Sequence, residues 1–228
     1  MPPLRRHQLA YLSAQGWQAA LEPARDAQAL DCLRHWCAHG LPLVVTRQPL
    51  PLAPERPLLH LGLSAPPAWG RRLLSLRVPA TAIAWFSEFP SLADAAPVLP
   101  RTARAALAPL QVALAERGLR AHAYGSVGWQ QLSAQRYLHP HSDLDLWLPV
   151  AHALEADAAA ALLLRHAPQR PRVDGELVFP DGGAVAWREW AAWRAGHSRA
   201  LLVKRLHGAA LEAELPAGWT APPLAQAA

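Results

Sequence analysis

"HSDLDLWLPV", residues 141–150, sets Asp143 and Asp145 two positions apart in an otherwise apolar run, in a chain that is only 17% charged. Leu144, Leu146, Trp147 and Leu148 predict a strand here. Successive side chains on a strand point to opposite faces, so the two aspartates share one face while Leu144 and Leu146 turn toward a core. Bare carboxylates so close together repel one another. A divalent cation removes that cost, and Mg²⁺ favours one or two protein carboxylates completed by substrate phosphates, a place Mn²⁺ can also take. In the plainer alternative, Asp143 opens the strand as a turn residue and Asp145 lies on a solvated face. The pair alone does not choose.

Its neighbours add to it. Upstream, "AYGSVGW" (123–129) ends a strand in Gly125 and Ser126 and opens a helix. Small residues there let backbone N–H groups and a hydroxyl approach phosphate oxygens at a helix N-terminus. Downstream, "RVDGELVF" (172–179) supplies Asp174 on a further strand, with Glu176 on the same face by alternation. The order of strand, Gly-Ser turn, helix, strand with an acidic pair, helix, and strand with a third acid is far more specific than any of its parts.

The chain has 228 residues, 52% of them apolar, enough for a substantial core. Its 23 prolines are densest between Pro42 and Pro109 and after Pro216, which predicts loop-rich stretches with short elements. Before Pro90 the pattern gives a helix over 24–39 stopped at Gly40, strands in 41–48, 58–64 and 71–79, and a helical segment over 80–89. After Pro100 come a helix over 101–118 that Pro109 must start, kink or break, the acidic constellation, the Ala-rich helix 151–167, and further elements opened by "AVAWREWAAWRAG" (184–196). The expected class is α+β: a small N-terminal α+β domain over 1–95, a second domain over 96–215 with a mixed sheet flanked by helices, and a flexible tail over 216–228. No internal repeat is visible.

The formal charge is +5 and the calculated isoelectric point about 10.0, which favours an acidic partner or a polyanionic substrate. The basic residues are 21 Arg and one Lys, Lys204. No long basic stripe is interleaved with aromatics, which argues against nucleic acid. No stretch is long and apolar enough to span a bilayer, and the N-terminus lacks the apolar core of a signal peptide, so the expectation is a soluble, cytoplasmic protein without a membrane partner. Cys32 and Cys37 beside His35 and His39 match neither a zinc finger nor a redox pair, and read as an amphipathic helix capped at Gly40.

The order of motifs is similar to the nucleotidyltransferase superfamily of the polymerase-beta type. Over longer stretches, "AYGSVGWQQLSAQRYLHPHSDLDLWLPV" (123–150) and "DGELVFPDGGAVAWREW" (174–190) resemble the phosphoribosyl-dephospho-CoA transferases of malonate decarboxylase, its holo-acyl-carrier-protein synthases. "GLPLVVTRQ" (40–48) and "LGLSAPPAWGRRLLSLRVPA" (61–80) resemble that family's N-terminal domain, so the likeness covers 40–211. The departure from the superfamily pattern is the long spacing from Ser126 to Asp143, with "RYLHPHS" inserted. The resemblance implies a polymerase-beta-like catalytic domain, triphosphoribosyl-dephospho-CoA as donor, a serine of the acyl-carrier-protein subunit of malonate decarboxylase as acceptor, and pyrophosphate as the leaving group. It further implies Mg²⁺ on Asp143 and Asp145, Asp174 completing the site or helping to deprotonate the serine, and Gly125 and Ser126 cradling the pyrophosphate.

Lys204 can reach a phosphate or be a surface lysine. Arg188 and Arg194 can clamp a triphosphate or lie over the neighbouring indoles. His139 and His141 suit an entrance better than Mg²⁺ ligation. Two other functions stay open: another Mg²⁺-dependent nucleotidyltransferase acting on a small molecule or protein, and a non-catalytic module that binds a carrier protein.

Overall fold

The computed structural model describes residues 3–23, 25–50 and 58–220. In chain order these form β1 (Leu9–Leu12), α1 (Ala14–Leu21), α2 (Ala27–Ala38), β2 (Leu43–Val45), β3 (Leu58–Ser64), β4 (Leu73–Pro79) and β5 (Ile83–Ser87). Then come α3 (Leu92–Ala95), α4 (Arg101–Glu116), β6 (His122–Ala123), α5 (Gly125–Ser133), β7 (Leu144–Pro149), α6 (Ala153–His166) and β8 (Val173–Val178). β9 (Ala184–Ala186), α7 (Trp187–Arg194), β10 (Leu201–Lys204) and β11 (Ala209–Glu212) complete the order. The class is mixed α and β, with two sheets and seven α-helices among the described residues. No helix among them is long and apolar enough to cross a membrane.

The elements fall into two compact units. The first comprises Met1–Pro90 together with Tyr124–Pro140 and Arg205–Gly208. Its sheet is antiparallel throughout, in the order β4-β3-β2-β1-β5. Leu9, Leu33, Trp36, Leu43, Leu61 and Leu76 lie at its core, joined by Trp129 of α5. Trp36 donates its indole N–H to Pro42 O, and the rings of Phe89 and Trp129 meet edge to face. The start of the inserted segment, at Tyr137 and Leu138, is fixed within this unit. Gln130 accepts the backbone N–H groups of Tyr137 and Leu138, and Tyr137 donates its phenol to Ser64 O at 2.6 Å. Burial, then the nearby Cys32, pushes the Tyr137 phenol up in pKa.

The helix expected over 80–89 is replaced by a 3-10 turn, Ala80–Ala82, and by β5, which pairs with β1. Ala80, Ala82 and Ala84 suit a helix, but Ile83, Trp85 and Phe86 suit a pleated surface, and β1, which the sequence pattern did not reveal, provides the partner. Sequence reasoning also missed α1.

The second unit comprises Ser91–Ala123, His141–Lys204 and Ala209–Ala228. Its sheet runs β11-β10-β9-β8-β7-β6 and is mixed: β7 and β8 are parallel and every other pair is antiparallel. Parallel neighbours need a crossover, and α6 provides it, presenting Ala156, Ala159, Ala160 and Leu163 to the core. α4 packs on α6, and α6 on α7. α4 continues through Pro109, which lies on its exposed side, where water can satisfy the carbonyl that loses its partner. Residues 217–220 do not fray as expected. They form a turn whose Trp219 is 0% exposed, stacked on Phe179 with ring centroids 3.6 Å apart and donating to Asp181. The rest of the expected tail, 221–228, lies outside the described residues.

Candidate active site

The parallel pair β7–β8 is held in register over its whole length, and Asp145 stands directly opposite Asp174. Opposed residues on paired strands project to the same face about 4.8 Å apart, so two carboxylates distant in sequence become neighbours. Both are partly exposed, whereas Leu144, Leu146, Val173 and Leu177 on the opposite face are fully buried. Asp143 is exposed and immediately precedes β7.

The two strands approach closely at the next position. Gly175 has φ +141°, and a Cβ there would lie 1.7 Å from Leu146 O. Only glycine fits, and the close approach sits beside both aspartates. Asp174 Oδ1 accepts the Gly175 N–H at 2.9 Å, and Asp174 Oδ2 faces Arg172 Nη2 at 3.4 Å.

The same face continues with Trp147 opposite Glu176 and, on the other side, His122 opposite Trp147, their rings stacked 4.5 Å apart. Glu176 is only 4% exposed, a costly place for a carboxylate without compensation. Lys204 supplies it from β10, its Nζ 2.8 Å from Glu176 Oε1. Arg188, on α7, donates to Val173 O at 3.0 Å and lies over the Trp187 ring at 4.1 Å. Arg194 is engaged elsewhere, bidentate to Asp157.

Gly125 and Ser126 open α5 in the first unit. Gly125 has φ +58°, the left-handed turn that glycine adopts without strain, and no side chain caps the helix. Strand pairing therefore brings Asp145 and Asp174 together, with Asp143 next to β7, Arg188 at the N-terminal end of β8, and Lys204 on Glu176. Sequence reasoning missed the Arg172–Asp174 pair, the His122–Trp147 stack and the Lys204–Glu176 pair. The two-residue spacing of Arg172 from Asp174 was the only signal available for any of them.

Among the described residues, no three or more His, Cys, Asp or Glu side chains gather as a metal-binding group. The donors on this face are carboxylates, which suit a hard, oxygen-seeking cation that takes the rest of its shell from phosphates and water.

Residues 91–214 match the family description "Phosphoribosyl-dephospho-CoA transferase MdcG C-terminal domain", and residues 5–89 match its N-terminal counterpart. The chain belongs to this transferase family. A phosphoribosyl-dephospho-CoA transferase of Xanthomonas euvesicatoria pv. vesicatoria is 36% identical over 201 residues, 87% of this chain and 89% of that protein. One from Xanthomonas axonopodis pv. citri is 37% identical over 204 residues, 87% and 89% of the two chains. One from Bradyrhizobium diazoefficiens is 34% identical over 190 residues, 82% of each. No solved structure matches this member of the phosphoribosyl-dephospho-CoA transferase family.

Proposed function

We propose that this chain transfers the phosphoribosyl-dephospho-CoA group from triphosphoribosyl-dephospho-CoA to a serine of the acyl-carrier-protein subunit of malonate decarboxylase. We assign its second unit to the nucleotidyltransferases of the polymerase-beta type. The observation that carries this reading is the register that sets Asp145 against Asp174 on parallel strands, in a chain whose relatives are named phosphoribosyl-dephospho-CoA transferases.

In this reaction the serine oxygen bonds to the phosphorus that bears the ribosyl arm as the bond from that phosphorus to pyrophosphate breaks, and the serine proton passes to a base. Asp143 and Asp145 are the residues to hold Mg²⁺ or Mn²⁺, and Asp174 either completes that site or takes the serine proton. Bound there, the cation would neutralise charge on the phosphate oxygens. Lys204 and Arg188 each have N–H donors beyond those given to Glu176 and Val173 O, and these can contact phosphate. Gly125 and Ser126, at the start of α5, offer backbone N–H groups and a hydroxyl of the kind that binds a pyrophosphate. The basic character of the chain, +5 overall, suits an acidic carrier.

Incubation with Mg²⁺, triphosphoribosyl-dephospho-CoA and the carrier subunit should raise the carrier's mass by the transferred group. Asp145→Asn should lower the rate by about 100-fold or more, the scale of removing one charge-stabilising group, with an unchanged thermal midpoint. Equal transfer from ATP or CTP would point to another nucleotidyltransferase. Carrier binding without transfer would point to a docking module.

A further inference from the structure

Three cations lie along β8, and they are held differently. Lys204 is bonded at 2.8 Å to Glu176, whose side chain is 5% exposed. Arg188 is bonded to a backbone carbonyl and stacked on an indole. Arg172 is held most loosely: its guanidinium is 3.4 Å from Asp174 Oδ2, with the two side chains 58% and 36% exposed. Exposed pairs of this kind contribute little, so the contact opens readily.

The backbone of Arg172 is fixed all the same. Its carbonyl accepts the Leu144 N–H at 2.9 Å, which ties it to the start of β7 between Asp143 and Asp145. Arg172 stands in the turn just before β8, and its guanidinium lies on the side of Asp174. Asp174 Oδ1 already takes the Gly175 N–H, so Oδ2 is the oxygen that a cation would claim, and Oδ2 is the one Arg172 covers.

We propose that Arg172 is an exchangeable counter-ion. Without ligands it neutralises Asp174; when a divalent cation takes Oδ2, the guanidinium turns to a phosphate oxygen of the incoming polyphosphate. A guanidinium suits both partners, since its N–H fork matches carboxylate and phosphate alike. The inference rests on the reading in which Asp174 completes the metal site of Asp143 and Asp145, and it makes Arg172 a polyphosphate-binding residue.

Two binding measurements on the full chain test it, with Mn²⁺ alone and with tripolyphosphate in the presence of Mn²⁺. Arg172→Gln should tighten Mn²⁺ binding about two- to fivefold, because an internal competitor of that strength is removed. It should weaken tripolyphosphate binding about tenfold or more, through loss of a charge-assisted hydrogen bond. Arg172→Lys should restore most of the tripolyphosphate affinity. If Arg172→Gln moves both affinities in the same direction, or moves neither, while the wild type binds both probes, the counter-ion inference fails and the metal-site reading stands. A wild type that binds neither probe overturns both.

Discussion

In the sheet of the first unit, β4 alternates exposed and buried residues from Leu73 to Pro79, and β3 pairs with it at every position. In the sheet of the second unit, β7 and β8 are buried on both faces at almost every position, and the interior breaks in that burial are Asp145 and Asp174. A strand with one wet face carries polar residues at no cost. A strand covered on both faces loses solvation with each carboxylate it carries, so one that persists there has a partner or a task. Glu176 has its partner in Lys204, and Asp174 is left to a loosely held arginine. β4 thus keeps one face wet, whereas β8 holds charge in place.

The sharpest test of that contrast is glycine. Gly175→Ala puts a Cβ into the Leu146 carbonyl at a backbone angle that side chains rarely adopt, so strain and overpacking together should cost about 2–6 kcal/mol. Gly62→Ala, in β3 of the first sheet, crowds the Thr46 methyl at 2.7 Å, with its other neighbours at an ordinary 3.8 Å and no unusual backbone angle, and should cost about 1 kcal/mol. Urea denaturation of both variants measures the difference, and equal losses would show that the two sheets are packed alike.

A smaller effect separates paired from exposed charge. Lys204→Met leaves Glu176 buried without its cation. Complete burial of a broken pair costs about 3–5 kcal/mol, and because Lys204 is 30% exposed the loss should be about 1–3 kcal/mol. Arg72→Met, which breaks the exposed contact with Asp26 in the first unit, should cost under about 1 kcal/mol. Denaturant midpoints of the two variants would collapse the comparison if they coincided.

The smallest expected effect is a pH dependence confined to the first unit. Burial, then the neighbouring His39, holds the His35 imidazole below its usual pKa, and its Nε2 lies 3.3 Å from the Gln135 amide nitrogen. The unfolded chain therefore takes up this proton more readily than the folded one. The stability that His35 contributes is present above the ordinary histidine pKa of about 6.5 and is lost as pH falls through the lower folded value. Thermal midpoints of His35→Gln should fall less than those of the wild type between neutral and mildly acidic pH, and parallel curves would remove His35 from the account.

Much of the site was legible because it depends on local pattern. Alternation around Asp143 and Asp145 identified β7, "RVDGELVF" identified β8, and a Gly-Ser turn before a polar-apolar run identified the start of α5. β5 was misread because alanine content favoured a helix where β1 offered a strand partner, and partners are long-range facts. The tail was misread at 217–220 because Pro and Gly suggested looseness, while Trp219 had Phe179 to stack on.

By itself the sequence determined that this is a protein of mixed α and β structure and basic character, in which acids stand at fixed spacings on apolar strands. These are matters of composition and of the two-residue period, which every strand obeys whatever surrounds it. Only the tertiary structure decided which strands are neighbours, in which direction and in which register. The parallel pairing of β7 and β8 through the α6 crossover made Asp145 and Asp174 face each other, the close approach at Gly175 fixed that alignment, and the strand order carried the chain's one lysine to Glu176. Register is set by packing between distant segments, and no local pattern encodes it.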